Sequence, residues 1–382
     1  MRSSGRWGFA VALALTVTAG AAQGAGPTPD PGVLGGGMRT QGFAQVLTPR
    51  DFEFPRDHGP HPEFRQEWWY VTGNLDAATG ERFGFELTFF RFALAPSAAD
   101  TVTPSVESRW RTRQIYMAHF AITDVSRKQF RFAQKLSRGA VGLAGAQTPP
   151  LRVWIDDWSL GTVSAADDTH WRLRAAQSGY ELILDANALL APVLNGDKGL
   201  SRKSSEPGSA SYYYSIPRTA VRGRLVRDGQ PLDVQGLAWV DREWGSGTLS
   251  KSEQGWDWFA LQLKDGSTLM FYALRTRDGG RDPNSAGTWV NASGQSRALS
   301  NDDVQIDVVD YWTNPRGDRY PSRWHLRVPT AGIDVDVRPV LPDQELTTLT
   351  RYWEGAVDVT EAGGDPRRGG RGYVELVGYA AQ

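Results

Sequence analysis

The chain has 382 residues, with 15 Trp, 15 Phe and 12 Tyr, only 4 Met, and no Cys. Its 42 Lys and Arg against 43 Asp and Glu leave a net charge of -1, without the basic surplus of a nucleic-acid surface. The lack of Cys excludes disulfides, thiolate metal sites, iron–sulfur clusters, a thiol nucleophile and a lipid-modified Cys.

Arg2 and Arg6 precede an uncharged, small and apolar run from Trp7 to Ala22. Ala22 and Gly24 then supply the small residues of a cleavage site before Ala25. This pattern predicts a secretory signal over 1–24 and a periplasmic or secreted protein, with a retained membrane anchor as the alternative. Loss of Arg2 and Arg6 would take the net charge from -1 to -3. No later stretch is apolar for long enough to span a bilayer, so no transmembrane domain is expected. Residues 25–49 are Gly, Pro and small polar residues, and predict a disordered lead-in.

From Phe52 onward, short alternating runs are separated by turn residues. Strands are expected at 67–75, 82–92, 115–125, 151–155, 171–175, 180–184, 212–216 and 223–226. In the second, Phe83, Phe85, Leu87 and Phe89 form one apolar face, while Glu86 and Thr88 point the other way. Asp76-Ala77-Ala78-Thr79-Gly80 is a turn, so the first two strands read as a hairpin. Residues 191–208 read as a long loop. Turns roughly every ten residues are typical of β-sandwiches and barrels.

A weak internal repeat sets the organisation. Trp69-Tyr70 opens a strand, a Gly turn follows, and an apolar strand ends at Arg91. Trp258-Phe259 opens a similar unit, with a turn at Asp265-Gly266 and an end at Arg275. Either the chain is duplicated, or any two aromatic hairpins look alike. Duplication predicts two all-β domains, 50–228 and 229–382. Asp228-Gly229 is also a turn signal, so it could form a tight turn inside the second domain.

Two clusters carry chemistry. In Glu67-Trp68-Trp69-Tyr70, alternation puts Glu67 and Trp69 on one face and Trp68 and Tyr70 on the other. In Trp239-Val240-Asp241-Arg242-Glu243-Trp244, Trp239, Asp241 and Glu243 share a face, and Arg242 and Trp244 share the opposite one. Carboxyls two residues apart on a strand lie about 7 Å apart at their Cα atoms, close enough to couple their titration. A raised carboxyl in an apolar pocket can act as a general acid. A buried Asp–Arg–Glu network that fixes the domain junction is the other reading. His119, in an apolar strand, is either a hydrogen-bonded core residue or a proton shuttle. His58 and His61 lie in a Pro-rich entry segment, and His170 and His325 have no company. No metal spacing, nucleophile elbow, phosphate loop or dinucleotide fingerprint is found, so no metal or cofactor is expected.

The stretch His61 to Gly73 (HPEFRQEWWYVTG) resembles the opening signature of the AttH / carotenoid 1,2-hydratase family. Ser211-Tyr212-Tyr213-Tyr214-Ser215, Asp241-Arg242-Glu243-Trp244-Gly245, Tyr352-Trp353-Glu354-Gly355 and Gly372 to Tyr379 (GYVELVGY) follow in the family's order. The resemblance runs from about residue 50 to the C-terminus. It implies two lipocalin-like β-barrel domains in tandem, and an apolar lipid- or polyene-like ligand in or between them. Hydratase members of the family add water to a terminal double bond of a carotenoid without a cofactor, and related members act as cyclases or isomerases. The resemblance also implies a His-x-Trp and a Tyr-x-Asp pair at the hydratase site. Here Arg242 stands in place of that His with Trp244 retained, and Tyr272 is kept while Leu274 replaces the Asp. The chain is therefore more similar to the AttH-type secreted proteins, described as predicted hydrolases and associated with ABC-type export transporters.

Two functions follow as expectations. The first is a periplasmic binding module for an apolar molecule. The second is a cofactor-free acid–base enzyme on that molecule: a hydratase, isomerase, cyclase or hydrolase. Its acid would be Glu67, Asp241 or Glu243, tuned by Arg242 and partnered by His119 or Tyr272. Trp68, Trp69, Tyr70, Trp244 and Trp258 would stack on the ligand, and Arg91 and Arg275 would orient it.

Overall fold

Alternating patterns give strands throughout the computed structural model, which describes residues 40–96, 112–247, 249–250, 252–362 and 369–380. The expected signal segment 1–24 and residues 25–39 of the expected lead-in lie outside these. Residues 40–49 are not a loose lead-in. Ala44 N donates to Glu63 O, Thr48 O accepts from Tyr212 Oη, and Val46 is buried against the first sheet.

The first sheet contains β1 (Gln66–Ala77), β2 (Arg82–Ala93), β3 (Gln114–Asp124), β4 (Gln129–Arg138), β5 (Ala144–Gln147), β6 (Arg152–Ile155), β7 (Trp158–Thr162), β8 (His170–Gln177) and β9 (Tyr180–Ala188). It is completed by β10 (Val193–Leu194), β11 (Leu200–Arg202), β12 (Ala210–Arg227) and β13 (Gln230–Gly245). The second sheet contains β14 (Glu253–Leu263), β15 (Thr268–Thr276), β16 (Ala286–Val290), β17 (Ser296–Leu299) and β18 (Gln305–Thr313). It continues through β19 (Arg319–Val328), β20 (Ile333–Pro339), β21 (Glu345–Thr347), β22 (Arg351–Glu361) and β23 (Gly370–Val377).

The two sheets repeat one topology. The first runs β4-β3-β2-β1-β13-β12-β9-β8-β7, then β6-β5; the second runs β17-β16-β15-β14-β23-β22-β20-β19-β18. In each, the opening strand pairs with both its hairpin partner and the last strand of its unit, which draws the sheet into a barrel-like curl. The fold is nearly all β, two lipocalin-like barrels in tandem.

Asp228 and Gly229 form the tight turn between β12 and β13, both with positive φ (51° and 79°), the type I′ geometry that Asp-Gly favours. That turn lies inside the first sheet, since β13 pairs with β1 along its whole length. The change from one sheet to the other therefore falls between Gly245 and Glu253, not at residue 228. The repeat is also offset by one residue. Trp68 sits opposite Glu243 on the last strand of its unit as Trp258 sits opposite Glu375, so Trp68 corresponds to Trp258 and Trp69 to Phe259.

Burial patterns report the packing. β9 alternates buried and half-buried positions because one face meets solvent. β1 and β2 are buried almost throughout because the second sheet covers their outer face. Trp69, Phe85, Leu87, Phe120 and Trp158 fill the first barrel, and Phe259, Leu261, Phe271, Trp324 and Trp353 the second. A third apolar layer lies between them, built from Tyr70, Tyr213, Trp239, Trp258, Met270 and Tyr373. Asn74 Nδ2 donates across this seam to Gly372 O (3.1 Å), and Gln262 Nε2 to Ala238 O (2.9 Å). Arg82 pairs with Asp358 (2.6 Å) and Arg371 with Asp76 (2.7 Å). At Gly84 a Cβ would lie 2.7 Å from Ala356 Cβ, so the close approach of the sheets requires glycine there.

Candidate functional site: an acid-lined cavity between the barrels

Alternation along β13 sends Asp241 and Glu243 out of the first barrel toward the second. There they line a cavity of about 110 Å³ between the sheets. Trp68, Tyr70, Phe90, Tyr213, Trp256, Trp258, Tyr272 and Tyr352 supply its aromatic wall. Glu86, Glu354 and Glu375 add three more carboxyls, and Lys203 an ammonium.

Asp241 accepts hydrogen bonds from Tyr213 Oη (2.5 Å), Ser215 Oγ (2.5 Å) and Trp239 Nε1 (2.6 Å). Burial nevertheless pushes its carboxyl up to about 7, because these bonds only partly offset the loss of water. Trp258 Nε1 donates to Tyr213 Oη (3.1 Å), so the second sheet helps to hold the phenol on Asp241. Glu243 accepts from Ser211 and pairs with Lys203 (3.0 Å). Burial works against the Lys203 charge, but Glu243 and the Tyr272 oxygen more than compensate, and its pKa is raised. The ammonium also lies 4.4 Å from the centre of the Tyr272 ring.

The opposite wall is more acidic. Burial pushes Glu86 up to about 7 and Glu375 to about 8. Glu354 lies well above the carboxylate range, first because it is buried and then because Glu86 and Glu375 are near. Tyr352 Oη donates to Glu86 (3.1 Å), as does Thr88 Oγ1 (3.0 Å), and Trp256 Nε1 donates to Glu375 (3.2 Å).

Of the side chains singled out in the sequence, Trp68, Tyr70, Asp241, Glu243, Trp258 and Tyr272 meet at this cavity. Glu67, Trp69, Arg91, Arg242 and Trp244 point the other way, into the end of the first barrel. Glu67 is fully buried there between Arg91 and Arg242 (3.0 Å) and accepts from the backbone N of His61 (3.1 Å). Burial alone would raise its pKa, but Arg91, His61 and Arg242 hold it far below the usual range. Arg242 bonds the carbonyls of His58, Trp68 and Gly59 and lies 4.0 Å from the Trp69 ring centre. It closes the end of the barrel and does not line the cavity. Arg275 plays the same part in the second barrel, with Asp257 (2.9 Å) and the Tyr379 ring. His58 and His61, set aside in the sequence, are both buried. His58 bonds Tyr214 (2.6 Å), and His61 stacks on Trp244 at 3.9 Å. His119 sits one step behind the cavity, bonded to Tyr352 Oη (2.6 Å), and burial pulls its pKa down to about 3.

Sequence reasoning missed the roles of Lys203, Tyr213, Glu86, Tyr352, Glu354 and Glu375. The available signal was a carboxyl on an otherwise apolar strand, as at Glu86, Glu354 and Glu375. Among the described residues, no three His, Asp or Glu side chains converge as a metal site.

A family model described as AttH-like matches residues 45–379. The chain belongs to the AttH-like family. The crystal structure of an AttH protein from Nitrosomonas europaea matches it with a TM-score of 0.78 and 34% identity, over 89% of this AttH-like chain and all of that one. Kievitone hydratase from Nectria haematococca shares the fold, with a TM-score of 0.62 and 15% identity over 89% of this chain and 97% of that one. Dehydratase AsqC of Emericella nidulans is 22% identical over 229 residues, 57% of this chain and 62% of that relative. The chain thus spans less than two thirds of the length of AsqC.

Proposed function

We propose that this AttH-like protein is a cofactor-independent acid–base enzyme of the hydro-lyase kind. It adds water to, or removes it from, an apolar lipid- or polyene-like molecule held in the cavity between the barrels. The observation that carries this reading is Asp241, a buried carboxyl held by Tyr213, Ser215 and Trp239 in an aromatic cavity, with its pKa pushed up to about 7. Such a group can donate and accept a proton near neutrality. In hydration it protonates an alkene carbon, and the faces of Trp68, Trp258 and Tyr70 stabilise the cation that forms. Tyr213 and Ser215 orient the carboxyl. The Glu243–Lys203 pair fixes the floor beside it.

A binding module is the second reading, and the wall composition argues against it. Five carboxyls and an ammonium are costly to bury and add nothing to the grip on an apolar molecule. The likeness to a hydratase and a dehydratase supports the same choice. By the sequence pattern at 1–24, the protein would work in the periplasm or outside the cell. Delivery of the molecule by an ABC-type export transporter is part of the proposal.

The test is to extract purified protein, identify the bound apolar molecule by mass spectrometry, and return it to wild type, Asp241→Asn and Glu243→Gln. Expected is a product formed by wild type and lost in Asp241→Asn. A ligand retained by all three proteins with no product from any would leave only the binding module.

A further inference from the structure

Three buried polar atoms converge on one corner of the cavity, where Tyr70 and Glu86 each lie within reach of Glu354 but none makes a hydrogen bond of good geometry: Tyr70 Oη, Glu86 Oε2 and Glu354 Oε1. They come from both sheets, β1 and β2 on one side and β22 on the other. Buried polar atoms without a well-formed hydrogen bond are rare in folded proteins, and three in one cavity corner point to a polar group of the ligand. Glu86 and Glu354 are close enough to act on one another, as are Tyr70 and Glu354.

Behind this corner runs a directed chain of hydrogen bonds. The backbone N of Leu349 donates to Gln134 Oε1 (3.4 Å), which orients the amide. Gln134 Nε2 then donates to His119 Nε2 (2.9 Å), so the imidazole proton sits on Nδ1. His119 Nδ1 donates to Tyr352 Oη (2.6 Å), and Tyr352 donates to Glu86 Oε1 (3.1 Å). Gln134 is on β4 and partly exposed, while His119 is fully buried, so the chain links solvent to the corner.

We propose that Tyr70, Glu86 and Glu354 form a second proton-transfer subsite. It holds the oxygen of the substrate, the hydroxyl that leaves or the water that enters, and His119 and Tyr352 renew its proton. This rests on the reading of Asp241 above and assigns the other half of the reaction. In elimination, the Asp241 carboxylate takes a proton from carbon, and that C–H electron pair becomes the new π bond. The C–O bond breaks toward oxygen, which takes the Glu354 proton and leaves as water. Asp241 ends protonated and Glu354 ionised. Tyr352 passes a proton to the Glu86–Glu354 pair and takes one from His119 Nδ1; His119 Nε2 takes its replacement from a solvent water admitted as the partly exposed Gln134 amide swings aside, and Asp241 returns its proton to solvent. Hydration is the reverse, with the pair as base and Asp241 as acid. The substrate class is thus an apolar molecule with a hydroxyl, or with an alkene that accepts one. His119 and Tyr352 are positioning residues that act through Glu86.

The test is infrared spectroscopy of the full chain in neutral buffer, following the carbonyl stretch of protonated carboxyls, with retinol and its matching hydrocarbon as probes. Glu354→Gln should remove one band. Retinol should lower the frequency of that band, the hydrocarbon should not, and Tyr70→Phe should reduce the retinol shift. On transfer to D2O, Tyr352→Phe should slow deuteration of the band by at least about tenfold. Equal response to both probes would overturn the oxygen subsite, and exchange at the wild-type rate would overturn the relay. Asp241→Asn should remove a different band and leave the retinol shift in place. Failure of the Asp241 reading and failure of this one are therefore seen separately.

Discussion

Glu243 and Glu375 occupy corresponding places in the two barrels. Each sits on the last strand of its unit, directly opposite a cavity tryptophan on the first: Glu243 opposite Trp68, Glu375 opposite Trp258. The repeated topology therefore puts two acidic strands face to face across one cavity. The two glutamates have diverged through their neighbours. Glu243 has Lys203 as a partner at 3.0 Å, while burial without such a cation pushes Glu375 up to about 8.

That rise makes Glu375 a source of pH-dependent instability. Between its ordinary value of 4.5 and about 8, the folded protein holds a proton that the unfolded chain releases. Stability should fall as pH rises through this window, and the loss should be complete above it. Glu86 and Asp241, each raised to about 7, act in the same direction. In Glu375→Gln the amide can still accept from Trp256, so the variant should gain roughly 2–4 kcal/mol on wild type between about pH 5 and pH 9. Urea denaturation at the two pH values checks this. A difference that does not change with pH would contradict a neutral buried Glu375.

Arg242 should prove to be structural. Arg242→Met removes the bonds to three carbonyls and leaves Glu67 with one fewer cation, at a cost of about 3–5 kcal/mol. Arg242→Lys should recover little, because a point charge cannot reproduce the planar fork over Trp69. Denaturant midpoints, read beside turnover of the folded fraction, decide the point. Unchanged stability with lost turnover would return Arg242 to the reactive site.

The aromatic wall is open to a graded test. Trp258→Phe keeps a ring but loses the bond to Tyr213, and should weaken binding of a polyene probe about threefold. Trp258→Leu removes the ring face as well, and should cost about 1–2 kcal/mol of affinity. Fluorescence titration with retinol measures both. Equal affinity in all three proteins would place the ligand elsewhere.

Much of the fold was legible because it rests on local pattern. The apolar face of Phe83, Phe85, Leu87 and Phe89 and the split of Asp241 from Arg242 follow from strand alternation alone. Which face looks into a barrel and which into the seam does not, since the sheet that covers β1 and β2 begins more than 150 residues on, and the wall facing β13 from β22 and β23 lies more than 100 residues on. Glu67 and Glu243 therefore looked alike, although one lies inside a barrel and the other at the cavity. Asp228-Gly229 marked a turn but not the sheet it belongs to. Lys203 was hidden in a loop of Gly, Ser and Asn, where a lysine is ordinarily solvated. Only the short pairing of Leu200–Arg202 with β12 carries it to Glu243.

The central claim is that Asp241 transfers the proton in a water addition or removal. The most direct measurement supplies wild type and Asp241→Asn with polyene and isoprenoid alkenes in oxygen-18 water, and follows label in the alcohol products by mass spectrometry. Wild type should form a singly labelled alcohol, and Asp241→Asn, folded and still binding retinol, should form it at least about 100-fold more slowly. Labelled product at equal rates from both proteins would contradict the account.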